Sequence, residues 1–197
     1  MKLIVISGSQ RTQSKSLLVA QYLHHLAETH FDQVQVYDLH ELNFPLWNEG
    51  VWSGSEEWQP WREIAKELQA ADAFIFITPD WHGMATPALK NFLMLTTDAE
   101  LAHKPALAVS VSASINGIYP ISELRLTGSK NNHVCFLPDH LVFREVDKLF
   151  DANQPCLDEA MQSRSEYTIQ LLAAYARALK PVHQDMLNAG KAFRYGM

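Results

Sequence analysis

Three apolar runs, "LIVI" at 3–6, "AFIFIT" at 73–78 and "ALAVSVS" at 106–112, constrain this chain more than anything else in it. A strand with one wet face alternates polar and apolar residues; the first two runs do not, and the third does so only at its end and with small serines, so they belong to strands covered on both faces, as in a parallel sheet between helical layers. "VQVYDL" at 34–39 and "LVFREV" at 141–146 are two further strand candidates. Amphipathic helical patterns separate them: from Ser14 to about Glu28, then about 57–71, 86–97, 120–129 and 158–180. Strands alternating with helices predict a doubly wound α/β fold, five parallel strands with helices on both faces. The expected domain is 1–180, followed by a tail, 181–197, that lies along the surface or reaches a partner subunit.

Composition narrows the function classes. A chain of 197 residues suits one domain, and 16 basic against 22 acidic residues give a net charge of -6 without any basic run, which argues against a nucleic-acid partner. The apolar stretches fall short of the roughly 20 residues of a membrane span, and the start reads as a strand rather than a signal peptide. No membrane insertion and a cytoplasmic location are the expectation. Cys135 and Cys156 form no CxxC pair and read as reduced structural thiols; the nine histidines are scattered without HxxxH or HExxH, so no metal site is expected.

Doubly wound sheets bind ligands outside the carboxyl ends of their strands. The loops after strands one, three and four are "GSQRTQS", "PDWHGMAT" and "ASINGIY". The first has neither GxGxxG nor GK[ST]. It offers the hydroxyls of Ser9, Thr12, Ser14 and Ser16 and the fork of Arg11, with no carboxylate, a set suited to a terminal phosphate monoester. The plain alternative is that Ser14 merely caps the first helix, but capping does not explain Arg11, and the phosphate reading comes first. In the second loop Pro79 ends the strand, Trp81 presents an aromatic face, Gly83 allows close approach, and Thr86 with Pro87 starts a helix. Together they read as a shelf for a flat ligand, although Trp81 could pack in an interface and His82 could be an ordinary loop histidine. The third loop has small residues at Ser112, Ala113 and Ser114, then Asn116 and Gly117, which tolerate left-handed angles; it leaves room for a large ligand, as would any plain strand-to-helix turn.

Taken in this order, the loops resemble the NADPH-dependent FMN reductase family, flavodoxin-like proteins that include azoreductases and quinone reductases. Its opening GSxRxxSxN is matched by Gly8, Ser9, Arg11 and Ser14, with Ser16 in place of Asn. Its PEYNxSxPxxLKNxxD appears as "PDWHGMATPALKNFLM", keeping Pro79, Leu89, Lys90 and Asn91, with Asp80 and Trp81 as conservative changes and Met94 in place of the final Asp. Its third motif, paired glycines, an arginine and LR, is here Asn116, Gly117, Tyr119 and then Glu123 to Arg125.

The resemblance implies a strand order 2-1-3-4-5, FMN as cofactor and NADPH or NADH as reductant, with hydride passing through the flavin to a small acceptor: a quinone, an azo compound, free flavin or a metal ion. It implies that Ser9, Arg11, Ser14, Lys15 and Ser16 hold the phosphate, that Pro79, Asp80, Trp81, His82 and Gly83 border the ring, and that Ser112, Ser114, Asn116 and Gly117 approach its pyrimidine end. No side chain need act as nucleophile, acid or base, because the redox chemistry belongs to the cofactor.

The alternative on the same fold is an FMN-binding electron carrier reduced by a partner protein, without its own nicotinamide site. A tyrosine-phosphatase reading fails for want of a cysteine in the first loop, and a nucleoside-processing reading would have only Asp80 as its loop carboxylate. The segment with Trp47, Trp52, Trp58 and Trp61 reads either as a subunit contact or as a satellite core under a long loop. A homodimer is the expected assembly, with a tetramer as the larger option.

Overall fold

The computed structural model describes residues 1–151, 154, 155 and 157–189. Cys156 and residues 190–197 of the expected tail lie outside the described residues. The order of elements is β1 (Lys2–Ser7), α1 (Lys15–Ala27), β2 (Gln33–Asp38), α2 (Leu39–Leu42), α3 (Gly50–Ser53), a 3-10 turn at Glu56–Trp58, α4 (Gln59–Gln69), β3 (Ala73–Pro79), α5 (Pro87–Leu95), α6 (Asp98–Leu101), β4 (Pro105–Val111), α7 (Tyr119–Thr127), β5 (Cys135–Phe143), a 3-10 turn at Val146–Lys148, a small hairpin of β6 (Phe150–Asp151) and β7 (Gln154–Pro155), and α8 (Glu159–Ala189).

The five long strands form one sheet in the order β2-β1-β3-β4-β5, every neighbouring pair parallel. Because side chains alternate across a strand, the unbroken apolar runs feed both layers. Leu3, Val5, Ile75 and Ile77 pack under α1 and α8, against Val19, Leu23, Ile169 and Leu172. Ile4, Ile6, Phe74 and Phe76 face α4, α5 and α7. On that second face aromatic rings fill the space: Phe76 meets Phe92 edge-on at 6.4 Å between centroids, and Trp61 meets the same ring at 5.7 Å.

The expected helix starts are met where local chemistry sets them. Ser14 caps α1 by accepting from Leu17 N at 3.1 Å, and Thr86 caps α5 by accepting from Leu89 N at 3.3 Å with Pro87 in the first turn. Three boundaries differ from expectation. β5 starts six residues before the expected 141 and ends at Phe143. It keeps Pro138 because it is an edge strand whose register shifts opposite Ala106 to Ala108. There one guanidinium nitrogen of Arg125 donates to the carbonyls of Leu137, Pro138 and Asp139. α8 continues through Pro181 to Ala189, held by His183, whose ring nitrogen lies 2.7 Å from Ala102 O, and by Lys180 paired with Asp72 at 2.9 Å. The tryptophan segment contains the short α3, and its members divide: Trp58 and Trp61 are buried in the second core, while Trp52 is 74% exposed and meets Trp47 edge-on at 4.9 Å.

Lys104, just before β4, is 3% exposed, and its ammonium donates to Leu68 O at 3.0 Å and Gln69 O at 2.8 Å, at the carboxyl end of α4. The helix dipole favours a cation there. Burial nonetheless pushes its pKa down to about 8, with Asp72 and Glu100 pulling it back up. An unfolded lysine titrates near 10.4, so between about pH 8 and that value the unfolded chain holds the extra proton and stability rises with pH. Lys104→Met has no proton to release at this position. Urea unfolding at several pH values should therefore show the unaltered chain gaining on the variant by on the order of 2 kcal/mol across that window; a difference that does not change with pH would contradict it.

Candidate functional site

The carboxyl ends of β1, β3 and β4 bring three loops to one edge of the sheet. β1 turns at Gly8, whose amide donates to Ile77 O at 2.8 Å. A Cβ there would stand 2.5 Å from Ile77 O and 3.1 Å from Leu89 Cβ, so only glycine lets β1 leave the sheet this close to β3 and α5. The Gly8 carbonyl accepts from the buried Thr86 hydroxyl, and the Thr86 amide donates to Thr78 Oγ1 at 3.1 Å. Loop one and loop two are thereby tied at their roots.

Loop one then runs over the amino end of α1. Ser9, Ser14 and Ser16 are buried, Lys15 is half-buried, and Arg11 is exposed with no ion pair among the described residues. Ser9 Oγ accepts from Arg11 N at 3.2 Å, and Lys15 Nζ lies 3.6 Å from Asp147. The amides of Lys15 and Ser16 have no intrahelical acceptor, and no acid stands in the first turn of α1. Helix amides, a free guanidinium and hydroxyls without a competing carboxylate suit an anion. Ser14 caps the helix as an acceptor, which leaves its hydroxyl proton free to donate.

Loop two is a tight hairpin. Trp81 and Met84 exchange backbone hydrogen bonds at 3.2 and 3.0 Å, and both intervening residues have positive φ, His82 at 55° and Gly83 at 77°, the pattern of a type I′ turn. Asp80 Oδ1 accepts from Gly83 N at 2.8 Å and so serves the turn. Loop three is a ladder of serine turns: Ser114 N donates to Ser112 Oγ at 3.1 Å and Asn116 N to Ser114 Oγ at 3.3 Å. Val146 N and Glu145 N bind the carbonyls of Ser112 and Ser114, both at 3.0 Å, and Arg144 Nε donates to Asn116 O at 2.9 Å. Gly117, at φ 105°, lies against β5, where a Cβ would be 2.8 Å from Val142 Cγ1. Below it the Ser110 hydroxyl is buried without a hydrogen-bond partner among the described residues.

Loops two and three enclose an open cleft of about 620 Å³ lined by Asp80, His82, Gly83, Ser112, Ala113, Ser114, Asn116 and Tyr119. Six of the expected residues thus share one wall system. Pro79 and Trp81 do not line the cleft, because the turn carries His82 and Gly83 to its tip. Gly117 shapes the cleft from behind. Ser9, Arg11, Ser14, Lys15 and Ser16 form the neighbouring loop over the amino end of α1 rather than a cleft wall. Tyr119, which the sequence places in the altered third motif without a site role, lines the cleft from the start of α7. A larger groove of about 990 Å³ opens between α5, α7 and the end of α8, and none of the three loops reaches it. No group of three or more His, Cys, Asp or Glu among the described residues could hold a metal ion, and the cleft offers no paired nucleophile and base. An anion loop beside a polar slot suits a phosphorylated ligand with a flat body, and FMN fits that description.

A family profile described as NADPH-dependent FMN reductase matches residues 1–147. An NADPH azoreductase of Bacillus sp. (strain OY1-2) is 33% identical over 59% of this chain, a match that spans 62% of that relative's length. An FMN-dependent NADPH-azoreductase of Staphylococcus saprophyticus is 26% identical over 90% of this chain and 96% of its own. Among solved structures, a flavoenzyme NAD(P)H:(acceptor) oxidoreductase from Paracoccus denitrificans superposes with a TM-score of 0.72, covering 90% of this chain and 98% of that one at 18% identity, a likeness of fold.

Proposed function

The chain belongs to the NADPH-dependent FMN reductase family, and from that premise we propose that it is an FMN-dependent NAD(P)H oxidoreductase serving a small acceptor. The observation that carries the reading is the acid-free anion loop beside the slot between loops two and three, tied to it through Thr86 and Gly8. When bound, FMN would supply the redox chemistry, hydride transfer from a nicotinamide nucleotide and electron transfer to the acceptor. The protein binds and orients. Arg11, the hydroxyls of Ser9, Ser14 and Ser16, Lys15 and the first amides of α1 hold the phosphate. Asp80, His82 and Gly83 border the ring on one side, on a segment that Pro79 and Trp81 carry, and Ser112, Ser114, Asn116 and Gly117 border it on the other. NADPH as reductant follows the family and its azoreductase relatives.

Quinones, azo compounds, free flavin and metal ions are the acceptor classes of this reading. Ile115, Tyr119 and Met84, at or next to the cleft, are 74%, 62% and 49% exposed, and such an apolar rim favours flat aromatic acceptors over hydrated ions. The proposal places the enzyme in the cytoplasm; no helix among the described residues is long and apolar enough to cross a membrane. It also makes the enzyme a homodimer. Its contact is the α5–α7 groove, where Trp52 and Met94, 74% and 62% exposed, stand in the walls.

Riboflavin has the ring of FMN and lacks its phosphate. Losing several charge-assisted hydrogen bonds of about 1.5 to 3 kcal/mol each should separate the two ligands by at least about a hundredfold. Arg11→Ala should remove at least about tenfold of that gap and leave riboflavin affinity unchanged, as measured by fluorescence titration. Equal affinity of the unaltered protein for both ligands would end the phosphate-loop reading. For the dimer, sedimentation of Trp52→Glu should shift toward monomer, while Gln21→Glu, on the exposed face of α1, should sediment like the unaltered chain. A unaltered chain that is monomeric at micromolar concentration would contradict the assembly.

A further inference from the structure

Glu123 lies on α7, outside the cleft, in the wall of the separate groove. Its carboxylate grips the root of loop two and α5 at once. Oε2 accepts from the amide of Ala85 at 2.6 Å, and Oε1 accepts from Lys90 Nζ at 3.0 Å. Ala85 is 1% exposed and stands between the Trp81–Met84 hairpin and the Thr86 cap, so its amide is a buried donor in need of a partner. A carboxylate just outside the amino end of α5 is also favoured by the helix dipole. One helical turn earlier on the same face of α7, Tyr119 stands near the hairpin tip: a Cβ on Gly83, were there one, would lie 3.6 Å from Tyr119 Cβ. The hairpin is therefore bonded to α7 at its exit and faces it across the cleft at its tip.

We infer that Glu123 is a positioning residue for the flavin: through Ala85 it fixes the distance between the His82–Gly83 turn and loop three, and so the width of the slot that receives the ring. This rests on the reading that the slot holds the ring and the α1 loop the phosphate. Glu123 bears first on the ring slot, because loop one is fastened by the Thr86 hydroxyl and amide, groups to which Glu123 makes no hydrogen bond.

Glu123→Met keeps the length and bulk of the side chain and removes the acceptor. Glu123→Gln retains an amide oxygen for Ala85 and removes the charge facing Lys90. FMN and riboflavin titrated against the unaltered protein and both variants should show Glu123→Met weakening the two ligands by the same factor, about tenfold, with their ratio preserved, and Glu123→Gln staying within about threefold of the unaltered protein. Independently of any ligand, hydrogen exchange at the Ala85 amide of the apo protein should be slow in the unaltered chain and in Glu123→Gln, and fast in Glu123→Met. Unchanged affinities for both ligands in Glu123→Met, a Gln variant as weak as the Met variant, a loss confined to FMN, or Ala85 exchange that ignores the substitution would each overturn the assignment. If the unaltered protein fails to prefer FMN over riboflavin, the phosphate reading falls, while the Ala85 exchange still reports on Glu123.

Discussion

Two strands ending side by side leave buried backbone groups that need partners, and the Thr86 hydroxyl settles that problem for this site. It donates to Gly8 O at the end of β1 and accepts from Leu89 N in the first turn of α5. Its own amide goes to Thr78 at the end of β3. Each of these groups would otherwise be a buried orphan costing about 1 to 3 kcal/mol. With them joined, the loop over α1 and the hairpin before α5 share one anchor, and their relative position is set before any ligand arrives.

The same economy of fixed backbone recurs around the cleft. The hairpin is closed by its own Trp81–Met84 pair and by Asp80 on Gly83 N. The serine ladder of loop three is fastened to the residues after β5 through Val146 N and Glu145 N. Walls built this way lose little freedom when a ligand binds, which is how a cleft of small polar residues gains affinity without large contact area. What stays free is the chemistry a phosphorylated ligand needs: the Arg11 guanidinium, the first amides of α1, and hydroxyls with protons still to give. The family match over residues 1–147 covers all three loops and ends where the 3-10 turn after β5 ends its work on loop three.

Much of this was legible in the sequence because it is locally determined. β1, β3 and β4 announce themselves by being apolar on both faces, and α1 and α5 by caps whose side chains act within three residues. β5 was misplaced because Pro138 and Asp139 look like a break. They are tolerated only at a sheet edge, where Arg125, more than ten residues upstream, satisfies the carbonyls. The extension of α8 beyond Pro181 depends likewise on Ala102 and Asp72, remote in sequence. In the site, the acid-free composition of loop one was visible as such. The left-handed His82 and the displacement of Trp81 from the cleft wall follow from a two-residue turn that glycine at only one of its two positions does not advertise. Glu123 could not be read from sequence at all, since its partners lie 33 and 38 residues away.

The central claim is that the cleft and the α1 loop together hold a flavin that a nicotinamide nucleotide can reduce. The most direct measurement is the visible spectrum of the FMN-loaded protein, recorded without oxygen before and after one equivalent of NADPH. The account predicts an oxidised-flavin band that is lost on NADPH addition and returns when a quinone or azo compound is admitted. A protein that takes up no FMN, or whose flavin band is unaffected by either NADPH or NADH, would contradict it.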